Sequence, residues 1–181
     1  MVRLLVRPLL LCISLVFVLF ACSSQKLEKN REVASMKLTS PAFADGATIP
    51  SKYTCDGNDL IPPLLFSDVP SSAQSLALVV DDPYAPVGVW DHWILWNLDP
   101  LTKEIKEGVA PVAVYGKTSF KRLTWGGPCP PDREHRYFFK LYALDTLPSL
   151  PEGSIKKELE QAMKGHIVAQ AVLMGRYNRV R

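Results

Sequence analysis

Apolar residues run along this chain in short blocks separated by stretches rich in Pro, Gly and Asp. Residues 76–80 (LALVV), 92–98 (HWILWNL), 137–144 (YFFKLYAL) and 167–174 (IVAQAVLM) are five to eight residues long and rich in β-branched and aromatic side chains. Each reads as a strand. Weaker runs lie at 36–39 and 63–66, and turn residues crowd Asp45-Gly46, Asp56-Gly57-Asn58-Asp59 and 126–132. Short strands punctuated in this way, with 15 prolines in the chain, predict a mainly β domain: an antiparallel sandwich or a barrel-like sheet. One helix is expected. Ser154 can cap it, Ile155, Leu159, Ala162 and Met163 recur at helical spacing, and Gly165 can end it. Lys156, Lys157, Glu158 and Glu160 would then take the solvent face.

The first residues have another pattern. Arg3 and Arg7 precede an apolar run, residues 9–21, that is shorter than the roughly 20 residues of a membrane span. It ends Leu19-Phe20-Ala21-Cys22, which has the layout of a secretory signal and resembles the bacterial lipobox. The resemblance implies a signal over residues 1–21, cleaved to leave a lipidated Cys22, with plain secretion or an uncleaved anchor as alternatives. Ser23 after the cysteine implies the periplasmic side of the outer membrane in a Gram-negative envelope. Residues 22–35 are polar and read as a tether of at most about 45 Å. Residues 36–181 are then the size of one domain.

Removing Arg3 and Arg7 from 21 basic residues leaves 19 against 18 acidic ones, a net charge near +1. No block of Lys and Arg offers nucleic acid a footprint. With Cys12 in the signal and Cys22 lipidated, Cys55 and Cys129 remain. In an oxidising compartment two cysteines suggest one disulfide, although spacing alone leaves two free thiols open.

Candidate chemistry gathers at two strand starts. The run at 76–80 ends at Asp81-Asp82, and Pro83 and Pro86 stiffen the loop that follows. The chain re-enters a strand at Asp91-His92-Trp93. Strict alternation puts His92, Ile94 and Trp96 on one face and Trp93, Leu95 and Asn97 on the other. His135, Tyr137 and Phe139 share a face of a later strand. A carboxylate, two imidazoles and a phenol make a small polar pocket with more donors than fixed charge, suited to phosphate or carboxylate oxygens. Asp82 would orient a histidine and favour its cation. The bland reading is that each histidine satisfies a backbone group at a strand end.

Asp82-Pro83-x-Ala85-Pro86, Asp91-His92-Trp93 and His135-Arg136-Tyr137 resemble the two signature regions of the phosphatidylethanolamine-binding protein family, and its bacterial Raf-kinase-inhibitor-like branch most closely. Ile49-Pro50-Ser51, Tyr53-Thr54-Cys55-Asp56-Gly57, Pro62-Pro63-Leu64, Gly126-Gly127-Pro128-Cys129-Pro130-Pro131, Tyr142-Ala143-Leu144-Asp145 and Ala171-x-Leu173-x-Gly175-x-Tyr177 extend it over 36–181. The resemblance implies a two-sheet β-sandwich with short helices and no cofactor. It also implies a non-enzymatic pocket for a phosphate-like anion or phospholipid head group. Asp82, His92, His135 and Tyr137 would form the polar lining, and Ala85, Pro86 and Trp90 the walls. A kinase or protease is the implied protein partner and a homodimer the implied assembly. One departure is Tyr84, where the family commonly has a second aspartate.

Two other readings compete. His92, His135 and Asp82 could bind a metal for hydrolysis, or the protein could act on envelope partners through its surface. Trp93, Trp96 and Trp125 read as packing, His166 as an ordinary helix-end residue, and Arg176, Arg179 and Arg181 as a solvated terminus. Gly126-Gly127 reads as turn chemistry that shapes a pocket wall.

Overall fold

The structure, a computed structural model, describes residues 34–179. The expected signal, the Cys22 lipidation site, Arg181 and the tether up to residue 33 lie outside the described residues. The strands are β1 (Ala34–Ser35), β2 (Lys37–Thr39), β3 (Leu64–Ser67), β4 (Ser75–Asp82), β5 (Trp90–Leu98), β6 (Glu104–Ile105), β7 (Val114–Tyr115), β8 (His135–Leu144) and β9 (Ile167–Tyr177). One helix, α1 (Lys156–Met163), precedes β9. Six strands form a sheet in the order β1-β9-β8-β4-β5-β7, and three form a second in the order β2-β3-β6. All pairings are antiparallel except β1 with β9. The sheet thus begins two residues before the expected domain start.

Strand β4 lies between β8 and β5 and is buried along its whole length, which explains why its sequence is a continuous apolar run rather than an alternating one. Leu76, Leu78 and Val80 face inward. There they pack with Trp93, Leu95, Phe139 and Leu141 against Leu38, Leu64, Phe66 and Ile105 of the small sheet. Ala77, Val79, Ile94 and Trp96 face outward and are covered by Leu159 and Met163 of α1. In this two-sheet sandwich the large sheet is therefore buried on both faces at β4 and β5, while the outer side of β9 stays exposed.

The helix departs from expectation at its start. The Ser154 hydroxyl donates to the Pro151 carbonyl (2.9 Å) and does not cap. Ile155 is the capping position, and its backbone N–H donates to Glu158 Oε2 at 2.8 Å. Ile155 is 47% exposed rather than part of the buried stripe. Gly165, at φ +82°, provides the left-handed exit. Lys156 points inward: its Nζ sits 3.2 Å from Asp81 Oδ2 and 2.5 Å from Asp91 Oδ1, and Lys140 Nζ lies 2.7 Å from Asp81 Oδ2. The buried Asp81 and the half-buried Asp91 on the outer face hold both lysines.

Strict alternation also fails in β5, at two register shifts, one beside Asn97 and one at His92. Val80 pairs with Trp93 and the next residue, Asp81, pairs with Asp91. His92 is the extra residue of a β-bulge, a device that re-aims one side chain. Ile94 and Trp96 do share the outer face, but His92 turns to the inner side, with its ring centroid 5.2 Å from that of Tyr137.

Cys55 and Cys129 are joined, with Cα atoms 5.4 Å apart across 74 residues of sequence. In the chain-entropy account, closing a loop of that length stabilises the fold by about 4 kcal/mol. No helix among the described residues is long and apolar enough to cross a membrane.

Candidate ligand-binding site

Asp82 ends β4 and organises the corner after it. Its Oδ1 accepts the Tyr84 backbone N–H at 2.8 Å, closing a local turn, and its Oδ2 accepts from His135 Nδ1 at 2.6 Å. His135 opens β8, and its Nε2 reaches Asp132 Oδ1 at 2.8 Å. Both ring nitrogens therefore meet carboxylate oxygens. The bond from His135 in turn holds the Asp132 carboxyl below the usual carboxylate range. His135 is 1% exposed and stands behind Asp82, not in the cavity wall. This corrects its expected place in the pocket lining. The Asp132 turn, three residues earlier, takes the nitrogen that would otherwise have been free.

His92 is held differently. Its Nδ1–H donates to the Gly126 carbonyl at 2.6 Å, and Gly126 N–H returns a bond to the His92 carbonyl at 3.2 Å. Burial pushes the imidazole below its ordinary pKa, outweighing the Gly126 carbonyl and the carboxylates of Asp82, Asp59 and Asp91. The ring is thus neutral near pH 7, with Nε2 carrying a lone pair and making no bond to the described residues. Phe120 and Tyr137 grip it edge-on, with ring centroids 5.4 and 5.2 Å away.

Tyr137 is 1% exposed, and its hydroxyl has no hydrogen-bond partner. The Cys129 backbone amide lies toward that oxygen but outside bonding geometry. Burial, reinforced by the charge of Asp82, pushes the phenol well above its ordinary pKa, so it remains a donor. An orphaned buried hydroxyl costs about 1–3 kcal/mol and calls for an explanation. Asp82, His92 and Tyr137 meet at one cavity of about 450 Å³. Ala85, Pro86 and Val87 from the prolyl loop form one wall, and Trp90, Phe120 and Pro131 form another.

The segment from Trp125 to Asp132 is the back of this cavity. A Cβ on Gly126 would lie 2.6 Å from the Phe120 ring, and one on Gly127 would lie 2.3 Å from the Tyr53 carbonyl. Gly127 N–H donates to Asp59 Oδ1 at 2.6 Å. Close packing against Phe120 and Tyr53 is why both positions require glycine. Cys129 and its disulfide also line the cavity.

Of the seven expected lining residues, Asp82, Ala85, Pro86, Trp90, His92 and Tyr137 line this cavity. Phe120, Val87, Cys129 and Pro131 also line it and were missed, as was Asp132, which acts behind the lining as a partner of His135. Pro131 lies inside a motif already noted and Val87 directly follows one, and Asp132 carries a faint signal, an acid three residues before a strand-opening histidine. Phe120 carries none. Tyr84 does not line the cavity; its ring lies 4.7 Å from the Arg136 guanidinium and fastens the loop to β8.

The residues read as packing or surface divide. Trp93 and Trp125 meet edge-on at 5.9 Å, and Trp96 lies in the outer core. His166 has an acidic partner that its sequence neighbours did not reveal: Asp145 Oδ1, 2.8 Å from Nδ1. Arg179 is tied to Asp56 at 2.8 Å and Arg176 bonds the Gly46 carbonyl, so this end of the chain is less solvated than expected. The metal reading loses its ligands, because both nitrogens of His135 are engaged and no cluster among the described residues could hold a metal. A second hollow of about 370 Å³, between Trp93, Trp125 and Tyr115, has Asp59 as its charged group, already bonded to Gly127.

Comparison with known proteins agrees with this architecture. A family model described as phosphatidylethanolamine-binding protein matches residues 39–178. A Chlamydia muridarum protein called a UPF0098 protein is 48% identical over 149 residues, covering 80% of this chain and 99% of its own. A Methanothermobacter thermautotrophicus protein of the same description is 45% identical over 150 residues, again covering 80% of this chain and 99% of its own. Among solved structures, a putative phosphatidylethanolamine-binding protein homologue from Chlamydia trachomatis superposes with a TM-score of 0.79 at 47% identity. It covers 81% of this chain and 99% of its own. E. coli YbcL, described as a member of the mammalian family, gives 0.75 at 27% identity, with 81% and 100% covered. With that match and this fold, the chain belongs to the phosphatidylethanolamine-binding protein family.

Proposed function

We propose that this protein binds, without a catalytic step, a small oxyanion of the phosphoryl type at the Asp82–His92–Tyr137 cavity. The apolar walls would hold the rest of the ligand. The observation that carries this reading is the convergence of those three side chains on one cavity, with an orphaned Tyr137 hydroxyl among them. Cavities that bind small molecules pair apolar walls with a few placed polar groups in this way. The names of the related proteins support a phospholipid head group as one member of the ligand class. A kinase, protease or other envelope protein is the partner class we propose. It would meet the cavity rim at Val87 and Val89, which are 79% and 53% exposed. We also propose anchoring in the bacterial envelope through Cys22, for which mass spectrometry of the mature N-terminus should find an acylated cysteine. An unmodified chain starting at Met1 would remove the anchor.

Calorimetric titration of the protein with methylphosphonate, O-phosphorylethanolamine and acetate tests the binding reading. Saturable binding is expected, weakened about tenfold or more, about 1.4 kcal/mol, by His135→Ala, which frees the Asp82 carboxylate from its orienting partner. Silence with all three compounds would sink it.

A further inference from the structure

The hydrogen-bonding groups that this cavity presents are mostly acceptors. Both ring nitrogens of His135 are taken up by Asp82 and Asp132, and His92 has given its Nδ1–H to Gly126. The lone pair on His92 Nε2 and one hydroxyl, that of Tyr137, are unbonded at this cavity, and beside them stands the Asp82 carboxylate, an acceptor whose oxygens each already take one bond. A fully ionised oxyanion brings only acceptors of its own. It would find one donor and two groups with nothing to give it.

Charge leads to the same point. The row Asp82, His135, Asp132 sets two carboxylates around one imidazole. Around His92, Asp59 faces Arg122 at 4.0 Å, and the Arg122 guanidinium lies 5.0 Å from the Phe120 ring. Asp91, its neighbour on β5, is held by Lys156 on the other face, and Tyr137 adds no charge from β8. An anion placed here without compensation meets a net negative floor in a partly desolvated hollow, which is costly.

Resting on the oxyanion reading of the cavity, we infer that this site takes an oxyanion together with one proton, shared between the ligand and Nε2 of His92. The proton turns Nε2 from an acceptor into a charge-assisted donor beside the Tyr137 hydroxyl, and it cancels the excess negative charge. No bond other than N–H or O–H forms or breaks, and the proton comes from solvent or with a protonated ligand. The bulge at His92 is what makes this possible, because it brings a neutral imidazole to the cavity rather than to the outer core.

Burial holds the empty site's imidazole below its ordinary range, so at neutral pH the proton must be acquired as the ligand arrives. A ligand that raises the bound pKa above the free one gains affinity that is complete below the free value. That gain is lost, about tenfold per pH unit, as pH rises toward the bound value. Ligands able to carry the proton themselves, such as phosphate monoesters, are favoured over permanently ionised sulfonates or sulfate near pH 8.

Isothermal titration of the full chain with sulfate and with methylphosphonate, each in buffers of different ionisation heat at pH 6, 7 and 8, tests this. Sulfate carries no proton at these pH values, so its expected uptake of about one proton per bound anion must come to the protein. Methylphosphonate should hold its affinity to higher pH. The His92→Gln variant should bind sulfate without uptake and with a flat pH profile. Independently of that variant's folding, the His92 Nε2 resonance in the wild-type protein should move from lone-pair to protonated character on sulfate addition. Anion binding with buffer-independent heats and a flat pH profile overturns this inference alone. Absence of binding by any anion at any pH overturns it together with the oxyanion reading.

Discussion

Two charged clusters sit on the same strands, back to back. Asp81 and Asp91 point outward under α1, while Asp82 and the bulged His92 point inward. On the outer face Lys140 and Lys156 contact the two carboxylates at 2.5–3.2 Å, and the helix closes over them. Asp81 Oδ1 is buried there without a hydrogen-bond partner. On the inner face a single imidazole serves two carboxylates, a second imidazole is left neutral, and a phenol has no partner. A cavity of about 450 Å³ opens on that side. The outer cluster fastens the sheet to its helix, whereas the inner one keeps bonding capacity in reserve, and the difference marks the inner face as the site.

Lys156→Met should have the largest effect on stability and the smallest on binding. Breaking a buried pair costs about 3–5 kcal/mol; because Lys156 keeps some solvent contact and Lys140 still faces Asp81, about 2–3 kcal/mol is expected. Urea unfolding would show this, with anion affinity changed less than about twofold in calorimetry. A collapse of affinity with stability intact would merge the two clusters into one functional unit. Tyr137→Phe should do the opposite. Removing an orphaned hydroxyl leaves stability within about 0.5 kcal/mol or raises it slightly, while binding of methylphosphonate weakens about 5- to 30-fold. Equal losses in both would make the hydroxyl structural.

The smallest effect separates the faces by pH. His92 has its folded pKa depressed by burial, so the unfolded chain binds the proton more readily. Stability from this group is complete above the unfolded value of about 6.5 and is lost as pH falls toward the folded one. The urea midpoint should therefore fall between pH 7 and pH 5, and His92→Gln should flatten part of that slope. An unchanged slope in the variant would assign the acid sensitivity to other groups.

Strand existence was legible because β4, β5, β8 and β9 are long apolar runs that both faces of the large sheet require. The polar pocket was legible too, since Asp82, His92 and Tyr137 stand at strand ends where side chains can converge. The facing of His92 was not, because a bulge is a property of pairing between β4 and β5, and no spacing within either strand announces it. The role of His135 was misplaced for a similar reason: Asp132 lies in a loop whose course sets which nitrogen stays free. Lys156 read as a surface lysine because Asp81 and Asp91 lie 75 and 65 residues earlier in the sequence. Phe120 lies in a segment with no periodic pattern, and the tertiary fold alone brings it to the cavity.

Crystals grown with methylphosphonate offer the most direct measurement. Ligand density should bridge His92 Nε2 and the Tyr137 hydroxyl, with the His135 ring still held between Asp82 and Asp132. Density at the outer cluster or the Trp93–Trp125 hollow, with the inner cavity holding only water at saturating ligand, would contradict the account.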